Sequence, residues 1–192
     1  MARPAHDRRH LGSLDGITDS ERNALRPIGR GARETALLTG SLLAGLRGLP
    51  GVLVFQGVLP AGEDIPRIPH VVSAGRRVVL VESVAWPPGT YGIAEDGRIH
   101  CDGVYIGQSV RPLLTAVRYW REALPRDHGV SAVVVVHHAD AGDLALPRPR
   151  TRDVAWASAE DALRIVLLQV FAGRRAASSA ALKALSSATR PG

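Results

Sequence analysis

Chemistry in this chain is sought first at Glu82, one acid within the apolar run Val78-Val79-Leu80-Val81-Glu82-Ser83-Val84-Ala85-Trp86. An ionisable side chain on a strand that otherwise reads as buried is either a site or a carboxyl held by an arginine or a backbone donor. A second apolar run, Ile68-Pro69-His70-Val71-Val72-Ser73, lies just before it, and Gly75 with Arg76 and Arg77 suits the turn of a hairpin. Glu34, behind Gly31-Ala32-Arg33, and the pair Glu63 and Asp64 in a Pro-rich loop are the other acids near this region in sequence.

Other constellations carry less. His70, His100, His137, His138 and Asp140 invite a zinc reading, but no pair has the i, i+4 spacing of a helical zinc site. His137 and His138 are consecutive on a strand, so their side chains diverge. Cys101 is the only cysteine, which rules out a disulfide within the chain and a cysteine-based zinc site, and its neighbour His100 points to the opposite strand face. No Gly-x-Ser-x-Gly elbow supports a serine nucleophile. Gly29-Arg30-Gly31 precedes a helix but lacks the P-loop lysine, and reads as a helix start.

The formal charge of +6 is carried almost wholly by arginine, since Lys183 is the only lysine. Arg30 and Arg33 open the first helix, Arg76 and Arg77 sit in the hairpin turn, and Arg111, Arg118 and Arg121 lie on or near the second helix. Convergent arginines grip a phosphate backbone independently of sequence, so these seven residues are the candidate DNA or RNA contacts. With aromatic residues at 4%, stacking on single strands is poorly supported.

The elements that must position these residues follow from periodicity. A helix runs from about Gly31 to Arg47 with an apolar stripe of Leu37, Leu38, Leu42 and Leu46. A short strand at Val52-Leu53-Val54-Phe55 precedes the hairpin pair. Strands at about residues 91–93, 98–100 and 104–106 are joined by Asp96-Gly97 and Asp102-Gly103, both strong two-residue turn signals. A second helix over residues 110–124 aligns Val110, Leu113, Leu114, Val117, Trp120 and Leu124. Residues 130–137 form a β-branched run suited to a central strand, and residues 140–152 read as a loop. The third helix, reaching Ala172, is apolar almost all round. Leu163, Val166, Leu167, Val170 and Phe171 are therefore the candidate interface with a protein partner or a second copy. Residues 1–29 read as a flexible basic arm, 30–173 as one α/β domain with a mixed central sheet flanked by helices, and 174–192 as a fraying Ala/Ser-rich tail. No apolar run reaches the roughly 20 residues a membrane helix needs, and the expected compartment is the cytoplasm.

This order resembles the nuclease-related domain family, a branch of the PD-(D/E)xK restriction-endonuclease-like fold. Gly31-Ala32-Arg33-Glu34 is similar to its Gly-x-x-Glu helix opening, Ile68-Pro69-His70-Val71-Val72 to its Ile-Asp-His-Val-Val strand, and Val81-Glu82-Ser83-Val84-Ala85-Trp86 to its (Asp/Glu)-Ser-Lys strand with the following aromatic residue. The resemblance implies magnesium-assisted phosphodiester hydrolysis, in which two acids on neighbouring strands hold the cation and a lysine places the attacking water. This chain departs at both demanding points: Pro69 stands where the first acid belongs and Val84 where the lysine belongs. Glu34 and Glu82 are what survives of the set, with Asp64 as a possible migrated ligand and Arg76 or Arg77 as a possible source of positive charge. The reading is a degenerate nuclease fold that needs no cofactor and works as a non-enzymatic adaptor through a protein partner or self-association. A nucleic-acid-binding module and a migrated-site magnesium nuclease are the alternatives.

Overall fold

The structure is a computed structural model that describes residues 10–15, 17–18, 24–25, 28, 30–46, 48–61, 65–171 and 178–189. Its centre is a six-stranded sheet. Strands β2 (Val52–Val58), β3 (Ile68–Ala74) and β4 (Arg77–Trp86) form an antiparallel meander. On one flank β1 (His10–Gly12) runs parallel to β2, and on the other β8 (Gly129–His138) runs parallel to β4, with β10 (Val154–Ser158) parallel to β8. The order across the sheet is β1-β2-β3-β4-β8-β10. Strand β4 pairs with β8 along its whole length, Arg77 with Gly129 through Trp86 with His138. Both neighbours of β4 and helices on both faces bury Val78 to Trp86 without a break, which is why that stretch reads as a continuous apolar run.

Two helices cover each face. Helices α1 (Ala32–Leu43) and α3 (Ala162–Phe171) pack on the face built from Val72, Val79, Val81, Val133 and Val135. Helices α2 (Arg111–Ala123) and α4 (Ser179–Ala188) pack on the face of Leu80, Val84, Val134 and Val136. A smaller sheet is ordered β7-β6-β5-β9; β5 to β7 are inserted between β4 and α2, and β9 follows β8. It comprises β5 (Gly89–Ile93), β6 (Arg98–Cys101), β7 (Val104–Ser109) and β9 (Leu144–Ala145). Asp102 and Gly103 both have positive φ, at 48° and 82°, as the tightest hairpin turn demands of its two central residues. Trp86 joins the two sheets: its ring stacks on Tyr91 at 4.2 Å and tilts against Trp156 at 5.4 Å. Among the described residues no helix is long and apolar enough to cross a membrane.

Three expectations are corrected. The segment read as a flexible arm contributes β1 to the sheet, and Leu14, Ile17, Ala24 and Leu25 are buried. Within the segment read as a fraying tail, Ser179–Ala188 form α4, which buries Ala181 and Leu185 in the core, and Ser178 caps it by accepting from the N–H of Ala181. Helix α1 faces the sheet with Thr35, Ala36, Thr39, Gly40 and Leu43, whereas Leu37 and Leu38 of the expected stripe point outward.

Candidate functional site

Side chains alternate along β4, so Glu82 projects from the face of Leu80 and Val84, toward α2 and the segment carrying Ala24 and Leu25. That segment is fastened to the strand by the Ile28 N–H, which donates to the Ala85 carbonyl at 2.6 Å. Glu82 is 1% exposed. Its Oε1 accepts from the Ser83 N–H at 3.0 Å, and Oε2 has no hydrogen-bond partner among the described residues. Burial pushes the carboxyl up to about 8, against the backbone N–H groups of Ser83 and Ala24, which favour the charged form. Burial thus favours the neutral form of Glu82, which can donate a hydrogen bond.

The meander brings the two expected acid positions together. His70 pairs with Val81 and Val71 with Leu80, so the register carried one step further sets Pro69 opposite Glu82. At that position proline offers no side-chain oxygen, and Val84, on the same face as Glu82, offers no charge. Glu34 lies on the far side of the sheet. Its helix covers the opposite face, and its carboxylate is exposed and paired with Arg30 at 2.9 Å. Glu34 and Glu82 thus do not converge on one ion. Asp64 and Glu63 lie outside the described residues. No arginine neutralises Glu82 among the described residues, and neither Arg76 nor Arg77, at the other end of β4, is within reach. A hard divalent cation wants six or more oxygens. One acid, a proline and a valine do not supply that set, and no group of three His, Cys, Asp or Glu among the described residues gathers elsewhere.

The histidines are separated as strand alternation requires. His137 is buried, and its Nε2 shares a hydrogen bond with the Thr39 hydroxyl at 2.8 Å, while His138 is exposed. Burial first, and then the Arg30 charge, hold His137 below its ordinary value, with Glu160 acting in the other direction. His70 is buried beneath Gly40, where a Cβ would meet its Nε2 at 3.0 Å. His100 lies by the Gly103 carbonyl at 3.4 Å, and Cys101 is half-buried with its thiol toward Asp102.

The seven arginines do not form one surface. Arg30 and Arg33 sit by the end of β4 where Ile28 is bound, and Arg33 pairs with Asp15 at 2.8 Å. Arg76, paired with Asp127 at 2.9 Å, and Arg77 sit at the opposite end, about 30 Å away along a ten-residue strand. Arg121 is a structural tie: its guanidinium donates to the Val130 carbonyl at 2.7 Å and to the Asp153 carboxylate, joining α2 to β8 and the approach to β10. Arg118 reaches Thr115 at 3.4 Å, and Arg111 packs beside Gly97. Among the described residues, sequence reasoning passed over four exposed cations without an ion pair, Arg126, Arg152 and, in the loop after β9, Arg148 and Arg150. The signal for the last two was the alternation Pro147-Arg148-Pro149-Arg150, which keeps a chain extended with its arginines exposed.

Helix α3 divides the residues expected at an interface. Val166 and Val170, with Ala162, are core side chains packed on the sheet, so they are removed from the candidate interface. Leu163 and Leu167 are half-buried, and with Leu168 and Phe171 they line a shallow apolar hollow edged by Glu160 and Arg164. Leu168 is 61% exposed. Beside α3, on the same face of the sheet, α1 turns Leu37 and Leu38 outward, and Gly45 beyond its C-terminus lies against Leu163. No protein-family model, curated protein or solved structure matches the chain.

Proposed function

We propose that this chain is a non-enzymatic scaffold built on a degenerate nuclease-related domain, acting in the cytoplasm by binding a protein partner or a second copy. The restriction-endonuclease-like part of the reading is supported by element order: a helix, three antiparallel strands, a helix, then a strand parallel to the third. The non-enzymatic part is supported by the geometry at Glu82, a buried acid facing Pro69 and Val84, with Glu34 behind the sheet.

The observation that carries the binding function is the apolar row Leu163, Leu167, Leu168 and Phe171 on the outer side of α3. Exposed leucines on two adjoining helices of one face are the pattern of a contact surface. Light scattering and partner capture test it. Leu168→Glu combined with Phe171→Ser is expected to lower the mass of the assembly or abolish capture while the domain stays folded. A wild-type monomer at all concentrations that captures nothing overturns it. Plasmid incubation with magnesium or manganese tests the enzymatic reading, and cleavage by the wild type that Glu82→Gln abolishes would establish a nuclease instead. The nucleic-acid reading ranks second, because its arginines lie at two ends of the sheet and four of the seven are engaged by carboxylates.

A further inference from the structure

Strand β5 has an edge that is covered for only part of its length. On one side it pairs with β6, Tyr91 with Cys101, Gly92 with His100 and Ile93 with Ile99. The Asp102 N–H donates to the Thr90 carbonyl at 2.9 Å and the Ala94 N–H to the Arg98 carbonyl at 2.8 Å. Antiparallel ladders alternate, so Thr90, Gly92 and Ala94 turn their backbone groups to β6, and Tyr91 and Ile93 turn theirs to the other edge. There β9 covers only Gly89 and Thr90, which pair with Leu144 and Ala145. The next residue positioned to donate along that ladder is Pro147, which has no N–H. The Tyr91 carbonyl and both backbone groups of Ile93 therefore have no ladder partner on that side among the described residues.

This uncovered edge borders a hollow of about 580 Å³ lined by Tyr91, Gly92, Ile93, Leu146, Arg148 and Arg150. The two arginines are exposed and have no ion-pair partner among the described residues. Leu146 and Ile93 pack partly into the core and give the hollow an apolar wall.

We propose that the β5 edge takes an extended acidic peptide as an added strand, seated in the hollow between Tyr91–Ile93 and the loop after β9, with Arg148 and Arg150 receiving its carboxylates. Three features select this occupant. The alternating N–H and C=O groups at Tyr91 and Ile93 match another strand. The charge at the rim is positive and unpaired, which suits acidic side chains. A nucleic-acid backbone offers acceptors only, and would set its phosphate oxygens against two outward carbonyls. The other long edge of the small sheet, β7, is a poorer template, since Gly107 has φ of 75° and the ladder shifts register between Ile99 and His100. The inference is independent of the α3 surface and stands or falls without it.

The test is fluorescence anisotropy with the full chain and a short labelled peptide alternating valine and glutamate. Binding is expected at low salt and should weaken as salt rises. Arg148→Glu with Arg150→Glu should weaken it about tenfold or more, with circular dichroism unchanged because both residues are exposed. The same peptide N-methylated on the residues facing β5 should lose a comparable factor with no change to the protein. Absence of binding by the parent peptide overturns the proposal. So does equal binding of the N-methylated peptide, which would reduce the site to charge alone, or tighter binding of an oligonucleotide of matched charge.

Discussion

Glu82 and His137 are both buried ionisable groups, on the adjacent strands β4 and β8 and on opposite faces of one sheet. Each is driven toward its neutral form, and burial is the first cause in both. They differ in what meets them. His137 looks onto α1, whose sheet-facing side carries Thr35, Thr39 and Gly40, and the Thr39 hydroxyl satisfies its ring nitrogen. Glu82 looks onto the apolar side under α2 and is met by backbone N–H groups, that of Ser83 at 3.0 Å and that of Ala24, with no side-chain hydrogen-bond partner among the described residues. One face has been built around its polar group. On the other a carboxyl is buried among apolar side chains.

The two faces should respond to pH with opposite signs, and Glu82 gives the larger effect. Its folded value, about 8, lies above the ordinary 4.5 of the unfolded chain. Below 4.5 both states hold the proton and the side chain costs nothing in charge. Between 4.5 and about 8 the unfolded chain releases a proton that the fold retains, so stability falls by about 1.4 kcal/mol per pH unit from this group. Above about 8 the loss is complete, at several kcal/mol. Glu82→Gln should remove that slope. Denaturant unfolding is expected to show the variant and wild type within about 1 kcal/mol of each other in acid and the variant clearly more stable in mild alkali. Equal stability at both ends would mean that the carboxylate has partners the comparison denies it.

His137 runs the other way. Its folded value lies below the ordinary 6.5, so its contribution is complete above 6.5 and is lost as pH falls through that value toward the folded one. The bond to Thr39 can be broken directly. Thr39→Ala strands a buried ring nitrogen and should cost about 1–3 kcal/mol, measured by thermal or denaturant unfolding near pH 7.5. Adding His137→Phe to Thr39→Val should restore much of the loss, because removing both polar partners is far cheaper than removing one. A double variant no better than Thr39→Ala alone would assign the cost to shape and not to the hydrogen bond.

The sequence made most of the sheet legible and the faces of its helices less so. Strands β2, β3, β4 and β8 stand where β-branched runs and the Gly75 turn put them, and both Asp-Gly hairpins form. Short strands escaped: β1 and β9 have three and two residues, and the five-residue β10 carries two alanines that show little preference for strand. Helix α1 misled for a physical reason. A leucine stripe is ordinarily the buried face, yet here the sheet is approached by Thr35, Ala36, Thr39 and Gly40, small side chains that leave room for His137 and His70 beneath. Leu37 and Leu38 were displaced outward. At the candidate site, the sequence showed that Pro69 and Val84 bring neither an oxygen nor a charge to Glu82. That Glu34 and Glu82 lie on opposite sides of the sheet follows only from which face α1 covers, and no local pattern encodes that. The arginines failed similarly, since charge spacing along the chain does not say which ends of a sheet the charges reach.

Gly40→Ala tests how tightly α1 is seated on its polar layer. Alanine improves helix propensity by up to about 1 kcal/mol at an exposed site. Here its Cβ would stand 3.0 Å from the His70 ring, which is fully buried and has little room to move. Crowding should outweigh propensity and give a net loss of about 1 kcal/mol in unfolding experiments. A gain in stability would show that the polar layer is loosely packed, and would weaken the contrast with the apolar face.

The smallest effect isolates charge from packing. Arg30 lowers the His137 value through space, yet it is only half-buried and its ion pair with Glu34 is partly solvated. Such a pair contributes little to stability, a few tenths of a kcal/mol at most. Arg30→Gln should therefore leave the unfolding midpoint almost unchanged while His137 titrates at higher pH, read from its ring proton shifts by NMR. Because burial is the larger cause, the rise should stop short of the ordinary 6.5. If the value does not move, burial and the Thr39 bond alone set it, and the α1 face holds its histidine neutral as the other face holds Glu82, by exclusion of water. If it moves all the way, the electrostatic field at the start of α1 dominates, and the two faces neutralise their buried groups by different physics.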